Sequence, residues 1–253
     1  MTHRSSRRLA PAFLLLALLP VSALAAQDLP DADALIATYV EQIGGEELWN
    51  VGTTMSGTMS MPAAGLQGTF ELFQAPPNRM VMRLNLPGVG EIRTGYDGQV
   101  GWSMDPMSGP SLMEGAQLDQ TREEASVAAS FRDPELVPGR ETLEEAEFGG
   151  EACWLVQLTW ASGRESRDCY SMETGLLVAS EGTQASPMGE IRSVTRFEDY
   201  REFEGRLLPT RMVQESMGME QVLEVESVTF GAVDDGEFDL PAAIQTLVGD
   251  GSY

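Results

Sequence analysis

Two periods of hydrophobic spacing divide the chain. From Pro30 to Asn50, Leu35, Ile36, Tyr39, Val40 and Ile43 recur three and four residues apart, the spacing of one apolar helical face. Asp31 stands where an N-cap belongs, and Gly44-Gly45 interrupts the helix before Leu48 and Trp49 continue its apolar side. From Thr53 the period becomes two. Met55, Met59 and Met61 alternate with Thr54, Thr58 and Ser60. Leu66, Phe70 and Leu72 alternate with Gln67, Thr69 and Glu71. Met80, Met82, Leu84 and Leu86 alternate with Val81, Arg83 and Asn85. Ile92, Thr94 and Tyr96 alternate with Glu91 and Arg93, and Val100, Trp102 and Met104 close the series. Turn residues separate these runs at Pro62 to Gly65, Pro76-Pro77-Asn78, Pro87-Gly88 and Asp97-Gly98. The pattern predicts a five-stranded antiparallel meander with one apolar face.

After a loop at Asp105 to Ser111, the stretch from Leu112 to Phe131 regains helical character. It is acidic and alanine-rich, and its large apolar residues are Leu112, Met113, Leu118, Val127 and Phe131. That composition predicts a weak, largely exposed helix, serving as a lid or as a crossover between two half-sheets. Strands then resume. Glu141 to Phe148 is a charged edge candidate, and Trp154, Val156, Leu158 and Trp160 alternate with Leu155, Gln157 and Thr159. Ser166 to Met172, Leu176 to Gln184, Glu190 to Tyr200, Arg206 to Met217 and Met219 to Phe230 follow as strands. No linker divides the chain.

The first 26 residues read differently. Arg4, Arg7 and Arg8 form a basic region, Ala12 to Leu19 is apolar, and Ala23-Leu24-Ala25 supplies a cleavage pattern. The apolar run falls short of the roughly 20 residues that span a bilayer. A signal peptide over 1–25 is therefore expected, with export by the general or the twin-arginine route left open by Ser6-Arg7-Arg8. One domain over 26–241 and a loosely held tail over 242–253 complete the expected organisation. The product is expected to be periplasmic or otherwise exported, and soluble after cleavage.

Cleavage would sharpen the chemistry by subtraction. All 16 basic residues are arginine, and the single histidine is His3. The mature chain would hold 13 arginines against 39 acids, a net charge of −26. That charge opposes nucleic acid and anionic headgroups as partners. Without histidine or lysine, catalytic triads, histidine-ligated zinc, P-loops and Schiff bases drop out. Asp97-Gly98 and Asp234-Asp235-Gly236 lack the order of a calcium loop and read as turns. A hydrolase built on paired carboxylates survives exclusion but has no motif. No catalytic residue, metal or cofactor is therefore assigned.

Two features point elsewhere. Cys153 and Cys169 are the only cysteines. If they face each other, the reversal between their strands is centred at Ala161, and both leave the sheet opposite Trp154 and Trp160. Two cysteines in an exported chain favour a disulfide, and the spacing is not that of a C-x-x-C redox pair. Thirteen methionines would remain after cleavage, and Met55, Met59, Met61, Met80, Met82 and Met104 share one parity. Methionine fills irregular cores, and it also lines surfaces that accept flexible apolar ligands. Gly57, Gly68 and Gly101 lower the side-chain volume of these strands, consistent with a cavity or with bends.

The run from Tyr96 to Pro106 (YDGQVGWSMDP), followed by Gly109-Pro110, resembles a strand–turn–strand element of the LolA/LolB-like superfamily of periplasmic outer-membrane lipoprotein-sorting proteins. So do Gly68 to Leu72 with Pro77-Asn78-Arg79-Met80, the hairpin ending Glu173-Thr174-Gly175-Leu176, and the first helix with Ile43-Gly44-Gly45 and Trp49. The resemblance covers most of the mature chain and is specific for fold more than for activity. It implies a mainly β fold: an incomplete, strongly curved antiparallel barrel of about 10–11 strands wrapped around the N-terminal helix and the helical insertion. It also implies an apolar cavity for acyl chains and a buried arginine that helps close the lid. Arg83 and Arg93 lie on suitable strands, but alternation puts both away from the methionines.

The expected function is a non-enzymatic envelope carrier or chaperone. It would bind a lipid, or the acyl chain of a lipoprotein, among Met55, Met59, Phe70, Met80, Met82, Trp102 and Met104, all taken to face one apolar space. The alternative is a regulatory or assembly module whose sheet binds another envelope protein.

Overall fold

A computed structural model describes residues 29–186 and 189–249; the expected signal peptide lies outside them. Helix α1 (Ala32–Gln42) begins where Asp31 accepts the Ala34 N–H at 3.0 Å, a side-chain cap that satisfies one free helix donor. It ends at Ile43, and a short α2 (Glu46–Trp49) follows the glycine pair. Gly44 has φ +106°, and a Cβ there would stand 2.6 Å from the Gly205 carbonyl oxygen. Only glycine allows both that dihedral and that approach.

Among the described residues, thirteen strands form one antiparallel sheet. They are β1 (Gly52–Met61), β2 (Leu66–Ala75), β3 (Arg79–Leu86), β4 (Gly90–Tyr96), β5 (Gly101–Asp105), β6 (Gly109–Leu112), β7 (Gly139–Phe148), β8 (Glu151–Thr159), β9 (Glu165–Ser171), β10 (Leu177–Ser186), β11 (Gly189–Phe203), β12 (Arg206–Ser216) and β13 (Met219–Gly231). Their order is β6-β5-β4-β3-β2-β1-β13-β12-β11-β10-β9-β8-β7. Every neighbouring pair is a hairpin except β1 and β13, which join the two halves of the chain. The sheet is strongly curled and does not close into a barrel. The strands outnumber the 10–11 expected, partly because β6 lies in a stretch read as a loop. Both edges are blunted against further pairing: β6 has four residues and carries Pro110, while β7 carries Glu141, Glu144, Glu145 and Glu147.

On one face of the sheet, α1 buries Ala32, Ile36, Tyr39 and Ile43 against Val156, Leu158, Trp160, Tyr170 and Leu177. This is called the α1 face below. The insertion α3 (Gly115–Ala125) and a 3₁₀ turn (Val127–Phe131) connect the two edges of the sheet. The insertion is less exposed than its composition predicts. Its buried residues include Gln120 and Glu123, polar groups that tie it across the sheet. Gln120 accepts the Ala185 N–H at 2.8 Å, Glu123 pairs with Arg164 at 3.2 Å, and Gln74 of β2 donates to the Ala125 carbonyl at 3.2 Å. These satisfied polar contacts replace the apolar stripe that an ordinary packed helix shows.

The opposite face holds what the sequence reading leaves loose. A 3₁₀ turn (Asp235–Phe238) and α4 (Ala242–Gly249) cover Phe73, Val81 and Trp102, and Ile244 is 0% exposed. The expected loose tail from residue 242 is thus a docked helix through Gly249. Arg79 pairs with Asp235 at 2.9 Å and Arg83 with Glu237, and these guanidinium groups lie over the Phe238 and Phe73 rings respectively. This face is called the α4 face.

Candidate functional site

The methionine-rich surface lies on the α1 face, at the ends of β1, β3, β4 and β13. Met59 and Phe70 are buried, as are Leu86 and Val225. Around them Met55, Met61, Met82, Leu84, Val89, Ile92, Met212, Leu223 and Val228 are only partly buried. The register places them together: Met55 faces Leu72 and Val228, Met59 faces Gly68 and Leu223, and Leu223 in turn faces Met212. The glycines make room that neighbours fill. A Cβ on Gly57 would stand 3.0 Å from the Phe70 ring, and one on Gly68 would stand 2.9 Å from the Leu86 side chain.

The seven candidate residues do not share one space. Met55, Met59, Phe70 and Met82 fall in this cluster, and Met80 has the parity of Met82, opposite Gln74 and Tyr96. Trp102 and Met104 are on the α4 face, with Phe73, Val81 and Ile244. The β4–β5 turn is the reason. Tyr96 pairs with Gly101 and Gly95 with Trp102, so even positions of one strand meet odd positions of the next. A continuation of parity across that turn puts every later side chain on the wrong face. Met212, Leu223, Val225 and Val228 were missed because they join through the β1–β13 pairing, which has no local signal. Their own alternation on β12 and β13 is the trace that could have suggested them.

Arg83 and Arg93 do lie on the face away from the methionines; the Arg93 guanidinium stands over the Trp102 ring at 5.6 Å. Arg206 of β12 is the most buried arginine among the described residues, at 7%, and a second largely enclosed one, Arg132, stands at the end of the insertion with its side chain 13% exposed. Its Nε donates to Asp168 Oδ2 at 2.6 Å and its Nη1 to the Ala129 carbonyl at 2.6 Å. The Tyr170 hydroxyl donates to the same Asp168 oxygen at 3.1 Å, and Oδ1 has no partner among the described residues. Burial disfavours the Arg132 charge, but Asp168 and the nearby tyrosines outweigh it and hold its pKa above the ordinary value. Burial, then the Asp168 charge, drives the Tyr170 hydroxyl well above its ordinary value, so at neutral pH it is a donor. This cluster pins the insertion to β9 beneath α1.

A polar groove of about 680 Å³ opens beside the insertion, lined by Gln120, Gln157, Arg164, Ser166, Arg167 and Glu181 among others. Within it Glu181 holds both Arg167 and Arg192 at 3.0 Å, and Asp119, Glu165 and Glu190 add further negative charge to the lining. The groove's apolar lining is limited to Ala116, Ala185 and the stems of polar side chains, with no large apolar side chain for an acyl chain to pack on. Among the described residues no cluster of acids, cysteines or histidines is arranged to hold a metal ion. No described helix is long and apolar enough to cross a membrane. Asp97 accepts the Gln99 and Val100 N–H groups and Asp234 that of Gly236, so both are turn formers.

The second sequence feature is present with a shifted register. Cys153 and Cys169 are bonded, with Cα atoms 5.5 Å apart. Leu155, not Cys153, stands opposite Cys169, and Thr159 pairs with Glu165. The reversal is therefore centred at Ser162, one residue beyond the expected position, because the turn runs from Trp160 to Arg164. The disulfide packs with Leu155 and Ala179 on the side opposite Trp160.

Neither a protein-family model nor a curated protein sequence matches the chain. Solved structures do. A DUF1329 family protein from Desulfovibrio piger superposes with a TM-score of 0.60 at 14% identity, over 84% of this chain and 98% of that one. A LolA superfamily protein from Nitrosomonas europaea gives 0.56 at 13%, over 83% and 97%. A domain described as an outer membrane lipoprotein-sorting protein from Vibrio parahaemolyticus gives 0.54 at 10%, over 83% and 97%. At such identities the likeness speaks for architecture alone: the chain has the LolA-like fold.

Proposed function

We propose that this protein is a non-enzymatic carrier or chaperone of the cell envelope that binds an acyl chain on the methionine-rich part of its α1 face. One observation carries the reading. Met55, Met61, Met82 and Met212 remain partly exposed around buried Met59 and Phe70, on the sheet face that the helices also occupy. Unbranched, polarisable side chains of this kind re-pack around flexible apolar ligands at little cost. The fold supports it, since one structure of the same architecture is described as a lipoprotein-sorting domain. Export and a soluble mature form belong to the same proposal.

The test is a pair of substitutions read by fluorescent fatty-acid binding and by thermal melting. Met82 is only partly buried, so on this reading Met82→Trp should leave the melting temperature nearly unchanged and weaken binding by about tenfold or more. Met59 is enclosed, so Met59→Trp should destabilise by about 1–3 kcal/mol through overpacking. No fatty-acid binding by the parent protein, together with equal destabilisation by both variants, would make the cluster a closed core and defeat the carrier reading.

A further inference from the structure

The turns of the sheet are unevenly charged, and the topology sorts them by end. In an antiparallel sheet successive turns alternate between ends. The turns joining β1 to β2, β3 to β4, β5 to β6 and β12 to β13 therefore lie side by side at one end. They consist of Pro62-Ala63-Ala64-Gly65, Pro87-Gly88-Val89, Pro106-Met107-Ser108 and Met217-Gly218. None of these residues is charged, in a chain where charged residues make up 22%. Two of them approach closely: a Cβ on Gly90, beside the β3–β4 turn, would stand 2.9 Å from the Pro106 ring of the β5–β6 turn. They also carry the most exposed large apolar side chains, Met107 at 87% and Met217 at 73%, with Met219 beside them at 46%.

The other end is different. Its turns hold Asp97, Glu173, Glu204, Asp234 and Asp235. The patch ends at β12, and the β8–β9 turn, whose Arg164 is held by Glu123, lies farther along the same end beyond β11 and β10. The methionine cluster opens toward the same end, because Met61 and Val89 belong both to it and to these turns or their flanks.

We infer that these four turns are the surface by which the protein rests on an uncharged lipid–water interface. Exposed methionines at hairpin tips gain by entering the acyl boundary, while the Asp105 carboxylate at the base of the β5–β6 turn, which accepts the Met107 and Ser108 N–H groups, stays at the level of the headgroups. The acids at the opposite end orient the molecule, since headgroups repel that end if anionic and offer it nothing if neutral. The contact sets the methionine cluster against the bilayer, where an acyl chain could pass without crossing water. That purpose rests on the carrier reading; the contact itself does not.

The experiment is flotation of the protein, purified from the envelope after export, with phosphatidylcholine vesicles. The parent protein should float, and Met107→Asp/Met217→Asp should lower the bound fraction about tenfold or more. Aspartate is tolerated at Met217, whose φ is +53°, because short polar residues adopt that region readily. Met172→Asp, at an exposed site on the other end, should float like the parent. In Met217→Trp the added indole should be quenched by brominated phosphatidylcholine. Absence of flotation, equal flotation of the two aspartate variants, or an unquenched indole would each overturn the proposal. So would capture of an envelope protein through these turns without vesicle binding, which would assign the surface to a protein. Fatty-acid affinity should be unchanged in the double variant. If the parent binds no fatty acid yet floats through its turns, the carrier reading fails and this one stands.

Discussion

Removing Arg132 should cost more than removing any exposed arginine of this chain. The Asp168 side chain is 1% exposed, and its charge is met by Arg132 Nε at 2.6 Å and the Tyr170 hydroxyl at 3.1 Å. Arg132→Met leaves that carboxylate buried with one neutral donor, which corresponds to a loss of about 3–5 kcal/mol. Asp168→Val strands the guanidinium instead. Arg132 is less enclosed, at 13%, and keeps the Ala129 carbonyl, so the loss should sit near the lower figure, about 3 kcal/mol. The double variant buries no charge, and its loss should fall short of the summed singles by about 2 kcal/mol or more. Arg132 also holds φ +54°, a conformation costing an ordinary residue about 1–2 kcal/mol. The assay is urea unfolding of the four proteins at neutral pH, followed by circular dichroism. Singles that add within about 0.5 kcal/mol would mean that the pair is not coupled and does not pin the insertion.

Three shorter expectations follow. Cys153→Ser/Cys169→Ser removes a bridge spanning 16 residues and should lower stability by about 3 kcal/mol in the chain-entropy model; unchanged urea midpoints would show that the loop is ordered without it. Ile244→Ala should cost about 2–4 kcal/mol, since Ile244 is fully enclosed against Trp102 and Phe73; a loss of a few tenths would return the C-terminal segment to a loose tail. The backbone N–H groups of Ser108 and Met107 hold the Asp105 carboxyl below its ordinary range. Its contribution is present above about pH 3.9 and is lost as pH falls through the lowered folded value. The melting difference between the parent and Asp105→Ala should therefore shrink in acid, and a difference that grows there would contradict the assignment.

Period-two alternation made most of the sheet legible, because hairpin neighbours share faces through local turns. The reading failed where a face depends on something non-local or on a turn's length. The Asp97–Val100 turn moved Trp102 and Met104 to the other side. The β1–β13 pairing brought Met212 and Leu223 to Met59, and the alternation within β12 and β13 does not announce that pairing. The insertion is less exposed than its composition predicts because its buried residues include Gln120 and Glu123, whose value lies in partners distant in sequence. Ile244, Leu247 and Val248 are apolar positions in the tail, but only the rings of Phe73 and Trp102 that they cover explain why it docks.

Native mass spectrometry of the protein taken from the envelope of the cells that make it tests the central claim most directly. The account predicts a bound mass in the range of an acyl-bearing lipid or lipoprotein, released on denaturation and diminished in Met82→Trp. A protein that carries no such mass, or that holds a lipid equally well after Met82→Trp, would contradict it.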